Sequence, residues 1–560
     1  MRRLPLLLVV LLLTGPVALG LAGTLLPAFG YLPALGAEHL SLAPLRSVLA
    51  TPGIVQSIGL SLGTGLAATA LSLAIVIAFT AAWHDTRAFA RLRRLISPLL
   101  AVPHAAAAFG LAFLIAPSGF LMRLVSPWAT GFDRPPDLLV VNDPYGLAMT
   151  AGLVVKEVPF LFLMTLAALP QTDGARLSRV AENLGYGKTT AWLKAVFPLV
   201  YAQIRLPVLA VLAYSTSVVD VALILGPTTP APLAPRILAW MGDPDLSLRL
   251  KAAAGALVQL ALSGAAIGLW IVMERVLQRS GAAWATAGAR GARDRGVRLA
   301  GLAAMALVAG TAVTALALLA LWSVAGPWRF PDALPGSLTV GHWTAAAPLV
   351  ALPLLTTLLI GGPVCLTAAA LSAAVLDMRT RSGRRGPSRA RVLLFMPLLV
   401  PQIAFLLGLQ VLFLTLRLDA SFGAVAVAHL VFVLPYVFLS LADPWDALDP
   451  RYRQVALTLG ASESRTFWLV RLPLLLRAVL TAAAIGFAVS VAQYLPTVLI
   501  GGGRFPTVTT ESVALASGGS RPLIAVHAVL QMLLPLAGFM AATAIPALLF
   551  RNRQTLKAVS

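Results

Sequence analysis

The sequence is poor in charged residues and almost free of cysteine. Only 11% of its 560 residues are charged, whereas about a quarter are charged in a typical water-soluble domain. Its mean hydropathy of +0.88 excludes an ordinary soluble enzyme of this size. A single cysteine, Cys365, excludes a disulfide framework and a cysteine-based metal site. The six histidines show no spacing typical of a metal site. We therefore predict an all-α polytopic membrane protein with no metal and no cofactor.

A phosphate-binding loop is also missing, although the segment "ENLGYGKTTAW" (182–192) resembles the end of one. Such a loop needs a glycine five positions before its Gly-Lys-Ser/Thr and follows a buried strand. Here that position holds Glu182, whose carboxylate would repel a phosphate, and no apolar strand precedes it. We do not expect the chain to hydrolyse nucleotides, and no catalytic residues are predicted.

Long apolar runs are abundant. Crossing the bilayer core as a helix takes about 20 apolar residues, and twelve segments qualify. Their approximate bounds are 5–27, 56–82, 95–116, 146–169, 207–226, 252–273, 299–322, 349–375, 392–416, 423–442, 478–500 and 523–549. We expect the first of them to be retained as a span, although its basic start also resembles a signal peptide.

The basic residues behind the net charge of +21 are concentrated in alternate loops. This charge therefore does not indicate nucleic acid as a partner. With the N-terminus inside, the cytoplasmic segments hold 31 Lys and Arg and the outside loops hold 10. This excess is typical of the positive-inside rule. We therefore expect a multi-pass membrane protein, in contact with lipid, with both termini in the cytoplasm.

Two cytoplasmic loops share one pattern. A shift of 275 residues aligns "LGYGKTTAWLKAVFPL" (184–199) with "LGASESRTFWLVRLPL" (459–474). Each copy predicts a helix with an apolar stripe, a glycine break and a second short helix that is stopped by a proline. An aromatic residue is aligned in the two copies. The residues concerned are Leu177, Val180, Ala181, Leu184, Gly185 and Trp192 in the first loop and Tyr452, Val455, Ala456, Leu459, Gly460 and Phe467 in the second.

The repeat extends into the membrane. "VPHAAAAFGL" (102–111) and "VPQIAFLLGL" (400–409) share Val-Pro and a glycine seven residues after the proline. We predict two parallel six-helix repeats related by a pseudo-twofold axis. The first repeat covers 1–274 with its loop at 173–205, a basic cytoplasmic linker covers 275–298, and the second repeat covers 299–560 with its loop at 446–477.

A single such loop would most simply pack back on its own bundle or lie among lipid headgroups. Two copies related by a twofold axis favour a pair of docking surfaces for a symmetric partner.

These loops resemble the "EAA" loops in permeases of binding-protein-dependent ABC importers. The matching segments are "RVAENLG" (179–185) and "QVALTLG" (454–460), each followed by a proline near the next span. Both depart from the family at the leading Glu, which is Arg179 in one and Gln454 in the other. The chain is most like the fused two-repeat permeases of the thiamine, iron(III) and polyamine group, and "SVVDVALILGPTTP" (217–230) looks like the thiamine-type branch.

The resemblance implies a type I importer permease that forms the substrate pathway. It implies two copies of a separate ABC ATPase subunit, docked on the two loops, and a periplasmic or lipid-anchored substrate-binding protein. Thiamine or a related small cation is the implied substrate, with iron(III) or a polyamine as the alternatives.

Polar residues within the spans are candidates for the substrate pathway, because they are costly in lipid. They are Lys156, Glu157, Asp220, His104, Gln402, Gln493 and Tyr494. A purely structural role is the alternative, in which Lys156 pairs with Asp220, or Glu157 with a neighbouring helix. Tyr494, Gln493 and Asp220 would suit an aromatic cation.

A secondary transporter of six plus six helices is a rival class. Such carriers concentrate their signature between the second and third spans, and here the shared motif lies between the fourth and fifth. A membrane enzyme is a third class, but no catalytic constellation is repeated or clustered at one face.

Overall fold

We analysed a computed structural model that describes residues 4–288, 290–291, 294–381 and 388–551. These residues form helices joined by short loops, with no β-strand among them. Most of the segment after the last predicted span, which we expect in the cytoplasm, lies outside the described residues. The all-α fold predicted from composition is confirmed.

The helices of the first half are α1 (Leu4–Ala28), α2 (Ala43–Leu49), α3 (Ile54–Trp83), α4 (Arg87–Ile96), α5 (His104–Ile115), α6 (Phe120–Val125), α7 (Leu147–Ala168), α8 (Gly174–Asn183), α9 (Lys188–Ala195), α10 (Phe197–Ser217), α11 (Asp220–Leu225), α12 (Leu233–Gly242) and α13 (Leu248–Thr286). Those of the second half are α14 (Arg295–Val324), α15 (Gly341–Arg381), α16 (Ser388–Leu399), α17 (Gln402–Thr415), α18 (Phe422–Ala447), α19 (Arg451–Thr458), α20 (Glu463–Thr466), α21 (Leu472–Val491), α22 (Leu495–Gly501), α23 (Val508–Ala514) and α24 (Arg521–Leu549).

Eleven helical segments of the described residues are long and apolar enough to span a membrane. The remaining predicted span, 392–416, is divided into α16 and the shorter apolar helix α17. The break between them lies at Val400 and Pro401. Pro401 precedes α17 with extended backbone angles, and proline disfavours a continuous helix through this point. The twelve predicted segments therefore all correspond to helices.

The fifth span of each half is broken where the sequence predicted one continuous run. The predicted segment 207–226 is divided into α10 and α11, and the segment 478–500 into α21 and α22. The break lies at residues 218–219 in the first half and at 492–494 in the second. A hydropathy pattern cannot detect such breaks, because the residues on both sides remain apolar.

The two halves exchange their first helices. Helix α1 packs mainly on α17, the third span of the other half, and α14 likewise packs on α5. Within each half, the second, fourth and fifth spans contact one another: α3, α7 and α10 in the first and α15, α18 and α21 in the second. This equivalence of contacts is the arrangement expected for two parallel repeats.

The shared glycine of the repeat lies where the exchanged helix approaches most closely. A side chain on Gly408 would collide with the backbone oxygen of Gly20, and one on Gly110 would lie 2.8 Å from the backbone oxygen of Ala315. Thr24 adds a hydrogen bond from its Oγ1 to the carbonyl of Ala404 (2.9 Å). Small residues allow such close packing between membrane helices.

Most of the predicted basic linker, 275–298, is helical. Helix α13 continues to Thr286 and α14 begins at Arg295, so most of the predicted segment forms the ends of two long helices. Charged residues at a helix end extend beyond the apolar run without breaking the helix, and the hydropathy pattern therefore underestimates its length.

Candidate functional site

The two repeated loops, 173–205 and 446–477, have the same backbone structure. Helices α8 and α19 each end at a glycine with a left-handed backbone, Gly185 (φ +87°) and Gly460 (φ +84°). In the first loop, the N–H of Tyr186 donates to the carbonyl of Ala181 and the N–H of Gly185 to that of Glu182. In the second, Ala461 and Gly460 repeat these two bonds with Ala456 and Leu457. This is the Schellman motif, which strongly favours glycine at that position.

Both loops expose apolar side chains around the glycine. Leu184 is 61% exposed and Leu459 is 82% exposed, and these two residues occupy equivalent positions. The other exposed members of the predicted stripes are Val180, Tyr452 and Val455. We call these two sets, Val180 with Leu184 and Tyr452 with Val455 and Leu459, the first and second docking surfaces.

The remaining predicted docking residues are less accessible. Ala456 and Trp192 are buried, and Leu177, Ala181 and Phe467 are partly buried. The ring of Trp192 is only 1% exposed and lies beside Phe197 and His84. The aromatic residue of each second helix therefore anchors the loop to the bundle and does not belong to its exposed surface. The sequence spacing could not show this, because the side of α9 that packs against the bundle depends on its tertiary contacts.

The first loop is held by the segment between the two halves. The N–H of Gly187 donates to the carbonyl of Arg290 (2.8 Å), and the Thr189 Oγ1 donates to Asp294 Oδ2 (2.6 Å). The Lys188 Nζ donates to the backbone carbonyl of His84 (3.3 Å). Burial lowers the pKa of His84 below its ordinary value, and the charge of Lys188 lowers it further. The N–H of Gly187 and the amine of Lys188 thus have protein partners, in keeping with the absence of a phosphate loop.

The second loop is held by ion pairs instead. Asp377, at the end of α15, pairs with both Arg471 and Arg381. Glu463 pairs with Arg453, while Arg379 pairs with Asp446 at the end of α18. Asp377 and Arg471 are both buried, so this pair connects the second loop to the membrane helices where water has little access.

A polar cluster lies between the spans. The Nε2–H of His104, the first residue of α5, donates to Glu157 Oε1 on α7 (3.2 Å). The His104 ring is 4.7 Å from the ring of Tyr214, and the Tyr214 hydroxyl is 3.4 Å from Asp220 Oδ1. The break after α10 places Asp220 at the start of α11, where its carboxylate can turn toward this cluster.

The second half contributes two tyrosines to the same cluster. Tyr436 of α18 lies in the neighbourhood of Glu157, and Tyr494, at the break before α22, lies in that of Asp220. Three of the predicted pathway residues, His104, Glu157 and Asp220, are therefore brought together with the predicted Tyr494. Tyr214 and Tyr436 were not predicted, since a single tyrosine in an apolar span gives no signal. The set of His104, Glu157, Tyr214, Asp220, Tyr436 and Tyr494 is called the polar cluster below.

Lys156 does not join the polar cluster. Its Nζ donates to the backbone carbonyls of Leu99 (3.2 Å) and Leu100 (3.0 Å). The expected alternative pairing of Lys156 with Asp220 is therefore wrong. Neighbouring residues of a helix point about 100° apart, so Lys156 faces the segment before α5 while Glu157 faces the cluster. Glu157 does contact a neighbouring helix, through His104 of α5.

Gln402 and Gln493 have different positions. Gln402 is the first residue of α17 and is partly buried, and Gln493 lies buried in the break before α22. A third buried polar site was missed by the sequence analysis: His429 contacts Ser490 Oγ (2.8 Å) and Thr497 Oγ1 (2.9 Å). It bridges the two sides of the break in the fifth span of the second half. The histidine was visible in the sequence, but its hydroxyl partners are distant along the chain.

Comparison with known proteins agrees with this architecture. Residues 366–551 match the family described as "Binding-protein-dependent transport system inner membrane component". The chain is 32% identical over 503 residues to the inner membrane ABC transporter permease protein YnjC of Escherichia coli strain K12, covering 89% of this chain and 90% of that protein.

Two other relatives match over shorter stretches. The spermidine/putrescine permease PotC of Haemophilus influenzae is 27% identical over 153 residues, which cover 27% of this chain and 60% of PotC. The molybdate/tungstate permease WtpB of Pyrococcus abyssi is 31% identical over 113 residues, covering 20% of this chain and 45% of WtpB.

The fold and these similarities define a multi-pass inner-membrane transport protein. The chain belongs to the permease subunits of binding-protein-dependent ABC importers, as the resemblance of its loops implied. Permeases of this family generally work together with an ATPase and a substrate-binding protein.

Proposed function

We propose that the chain couples ATP hydrolysis on two copies of a separate ATPase subunit to passage of a small cation through the polar cluster. The two docking surfaces would receive the ATPase subunits in the cytoplasm, with both chain termini on the same side. The observation that supports this most directly is the repeated helix, left-handed glycine and exposed leucine in both loops. Equivalent exposed apolar surfaces suit a symmetric partner.

The polar cluster supports a cationic substrate. It places two buried carboxylates, Glu157 and Asp220, near the aromatic rings of Tyr214, Tyr436 and Tyr494. Aromatic faces and carboxylates together attract a desolvated organic cation. Both halves contribute, so relative movement of the halves would change the cluster. Thiamine or a related aromatic cation fits this chemistry.

A polyamine is the second candidate. The similarity to PotC, whose name gives spermidine and putrescine as substrates, favours it, and the two carboxylates would bind separate amines. Iron(III) would need ligands held mainly by the binding protein.

The docking proposal is tested with Leu184→Asp and Leu459→Asp, alone and combined. Each introduces a charge where an apolar contact is expected, so the amount of ATPase subunit that co-purifies should fall at least tenfold in the double variant. Leu246→Asp, at an exposed leucine of the outer loop before α13, is the matched control. Normal co-purification of the double variant would contradict the proposal.

The pathway proposal is tested with Glu157→Gln and Asp220→Asn. Uptake of thiamine and of spermidine is measured in proteoliposomes that contain the whole complex and its binding protein. Each variant should reduce uptake of the true substrate while assembly is unchanged. Lys156→Gln is the matched control and should change thermal stability rather than uptake. The variant that carries both substitutions is measured as well. If the unmodified complex transports one of the two compounds and this combined variant transports it equally well, both carboxylates have a purely structural role.

A further inference from the structure

Helix α4 presents a row of arginines that has no anionic partner within the described part of the chain. Arg87, Arg91 and Arg94 recur at i, i+4 and i+7, which places them on one face of a helix. All three are exposed, as is Arg93 beside them. The helix contains no acidic residue, and none of the ion pairs among the described residues involves these four side chains.

The opposite face of α4 fixes the helix to the bundle. Phe89 is buried and stacks on Phe79 of α3, with ring centroids 5.5 Å apart. It also contacts the edge of Phe162 on α7 at 5.4 Å, and Ile96 is buried about two turns further on. Thr86 caps the helix by accepting a hydrogen bond from the N–H of Phe89 (3.2 Å). The arginines are therefore held outward by a rigidly packed helix.

The connections of α4 place it at the membrane surface. Only residues 84–86 separate it from the end of α3, a membrane span, and a short 3-10 helix (Ser97–Ala101) leads from it directly into α5. An amphipathic helix joined so closely to two spans lies at the level of the lipid headgroups. Leu95, exposed beside the arginine row, can enter the acyl region next to them.

The first turn of α14 extends this basic face. Helix α14 contacts α4, and its Arg295 is exposed. Its Arg298 guanidinium lies 5.4 Å from the centre of the Trp83 ring, whose Nε1 donates to the Arg298 carbonyl (2.9 Å). Helix α4 and the first turn of α14 thus carry five exposed or partly exposed guanidinium groups besides Arg93.

Four arginines at and around the second loop provide a contrast. Arg379, Arg381, Arg453 and Arg471 all pair with carboxylates of the chain itself. The arginines of α4 have no such internal compensation, and a negative charge from outside the chain would satisfy them.

We propose that α4 and the start of α14 form a binding site for the phosphate groups of anionic phospholipids. Guanidinium groups match phosphate oxygens in two-point hydrogen bonds, and basic clusters at the cytoplasmic end of membrane helices attract anionic headgroups. The bound lipid holds the loop between the second and third spans at the membrane surface. It thereby fixes the position of the start of α5 and of His104.

The test compares two charge-matched double variants. Arg91→Gln/Arg94→Gln removes two charges from α4, and Arg275→Gln/Arg279→Gln removes two from the exposed cytoplasmic end of α13. Binding of phosphatidylglycerol and of phosphatidylcholine to the purified full chain in detergent is measured by native mass spectrometry. The α4 variant should bind phosphatidylglycerol about thirtyfold more weakly, the α13 variant should lose less than about threefold, and phosphatidylcholine binding should not change.

Two further measurements complete the test. Arg91→Lys/Arg94→Lys keeps the charge but loses the two-point hydrogen bonds, so its affinity for phosphatidylglycerol should lie between those of the unmodified chain and of the α4 glutamine variant. Raising the salt concentration should release phosphatidylglycerol from the unmodified chain. This measurement does not depend on the folding of any variant. Equal losses in the α4 and α13 variants, or no loss in either, would overturn the proposal. So would intact lipid binding combined with lost association of the ATPase subunit, which would assign the arginines to a protein partner.

Discussion

The two repeated loops have one backbone and two different supports. Both end their first helix at a left-handed glycine and expose a leucine next to it. The first loop is held by the hydrogen bonds that it donates to residues 290 and 294 between the halves, and the second by carboxylate–arginine pairs at the ends of α15 and α18. The difference shows that the shape presented to a partner is retained while the interactions that maintain it diverge.

The largest effect is expected at Asp377. Asp377→Ala leaves the guanidinium of Arg471 buried without its carboxylate, which typically costs about 3 kcal/mol or more. We expect a clearly lower thermal unfolding temperature of the purified protein. Asp446→Ala, which removes the exposed partner of Arg379, is the control and should cost about 1 kcal/mol or less. Equal shifts for the two variants would show that the second loop does not depend on its buried pair.

A smaller effect is expected at Asp294. Asp294→Ala removes the acceptor of the Thr189 hydroxyl and should cost about 1 to 2 kcal/mol in the first loop. Amide hydrogen exchange should become faster in residues 186–194 and stay unchanged in residues 460–471. Asp294→Asn keeps an acceptor oxygen and should show little change. Faster exchange in both loops would mean that the two supports are not independent.

The smallest effect is a pH dependence confined to the first loop. The pKa of His84 is lowered below its ordinary 6.5 by burial first and by Lys188 second. Below about pH 6.5 an opened loop therefore takes up a proton more readily than the packed one, and packing weakens as pH falls toward the lowered pKa. Exchange protection factors of residues 188–195 should be lower at about pH 5.5 than at about pH 7.5.

The control for this prediction is His84→Gln, which should remove the pH difference. Residues 463–471 contain no histidine and should keep their protection. A pH response of the same size in the second loop would contradict the assignment to His84.

Much of the architecture was predictable from local patterns. The twelve apolar segments, the repeated loops and the glycine break each depend on residues close together in the sequence, and the structure has helices and left-handed glycines at those places. The shared Gly110 and Gly408 were visible too, but their reason was not. It depends on a helix from the other half that lies hundreds of residues away.

The polar cluster was predictable only in part. His104, Glu157 and Asp220 are conspicuous because polar groups are rare in spans. The orientation of Lys156 away from Glu157, and the approach of Tyr214 and Tyr436, depend on helix rotation and on the breaks in the fifth spans. Those breaks occur within continuous apolar runs, so neither composition nor periodicity reveals them.

The exchange of first helices also has a consequence for biosynthesis. When α1 enters the membrane, the surface that will cover Gly20 and Thr24 belongs to α17 and has not yet been translated. The nascent N-terminal helix must therefore wait in lipid, its small-residue face uncovered, while nearly 400 further residues are synthesised. Helix α14 meets the opposite situation, since α5 is already in place when it arrives. Maturation of the two halves is thus unequal in time even though their final packing is alike, and the interval before α17 appears is when a membrane chaperone or protease would have access to α1.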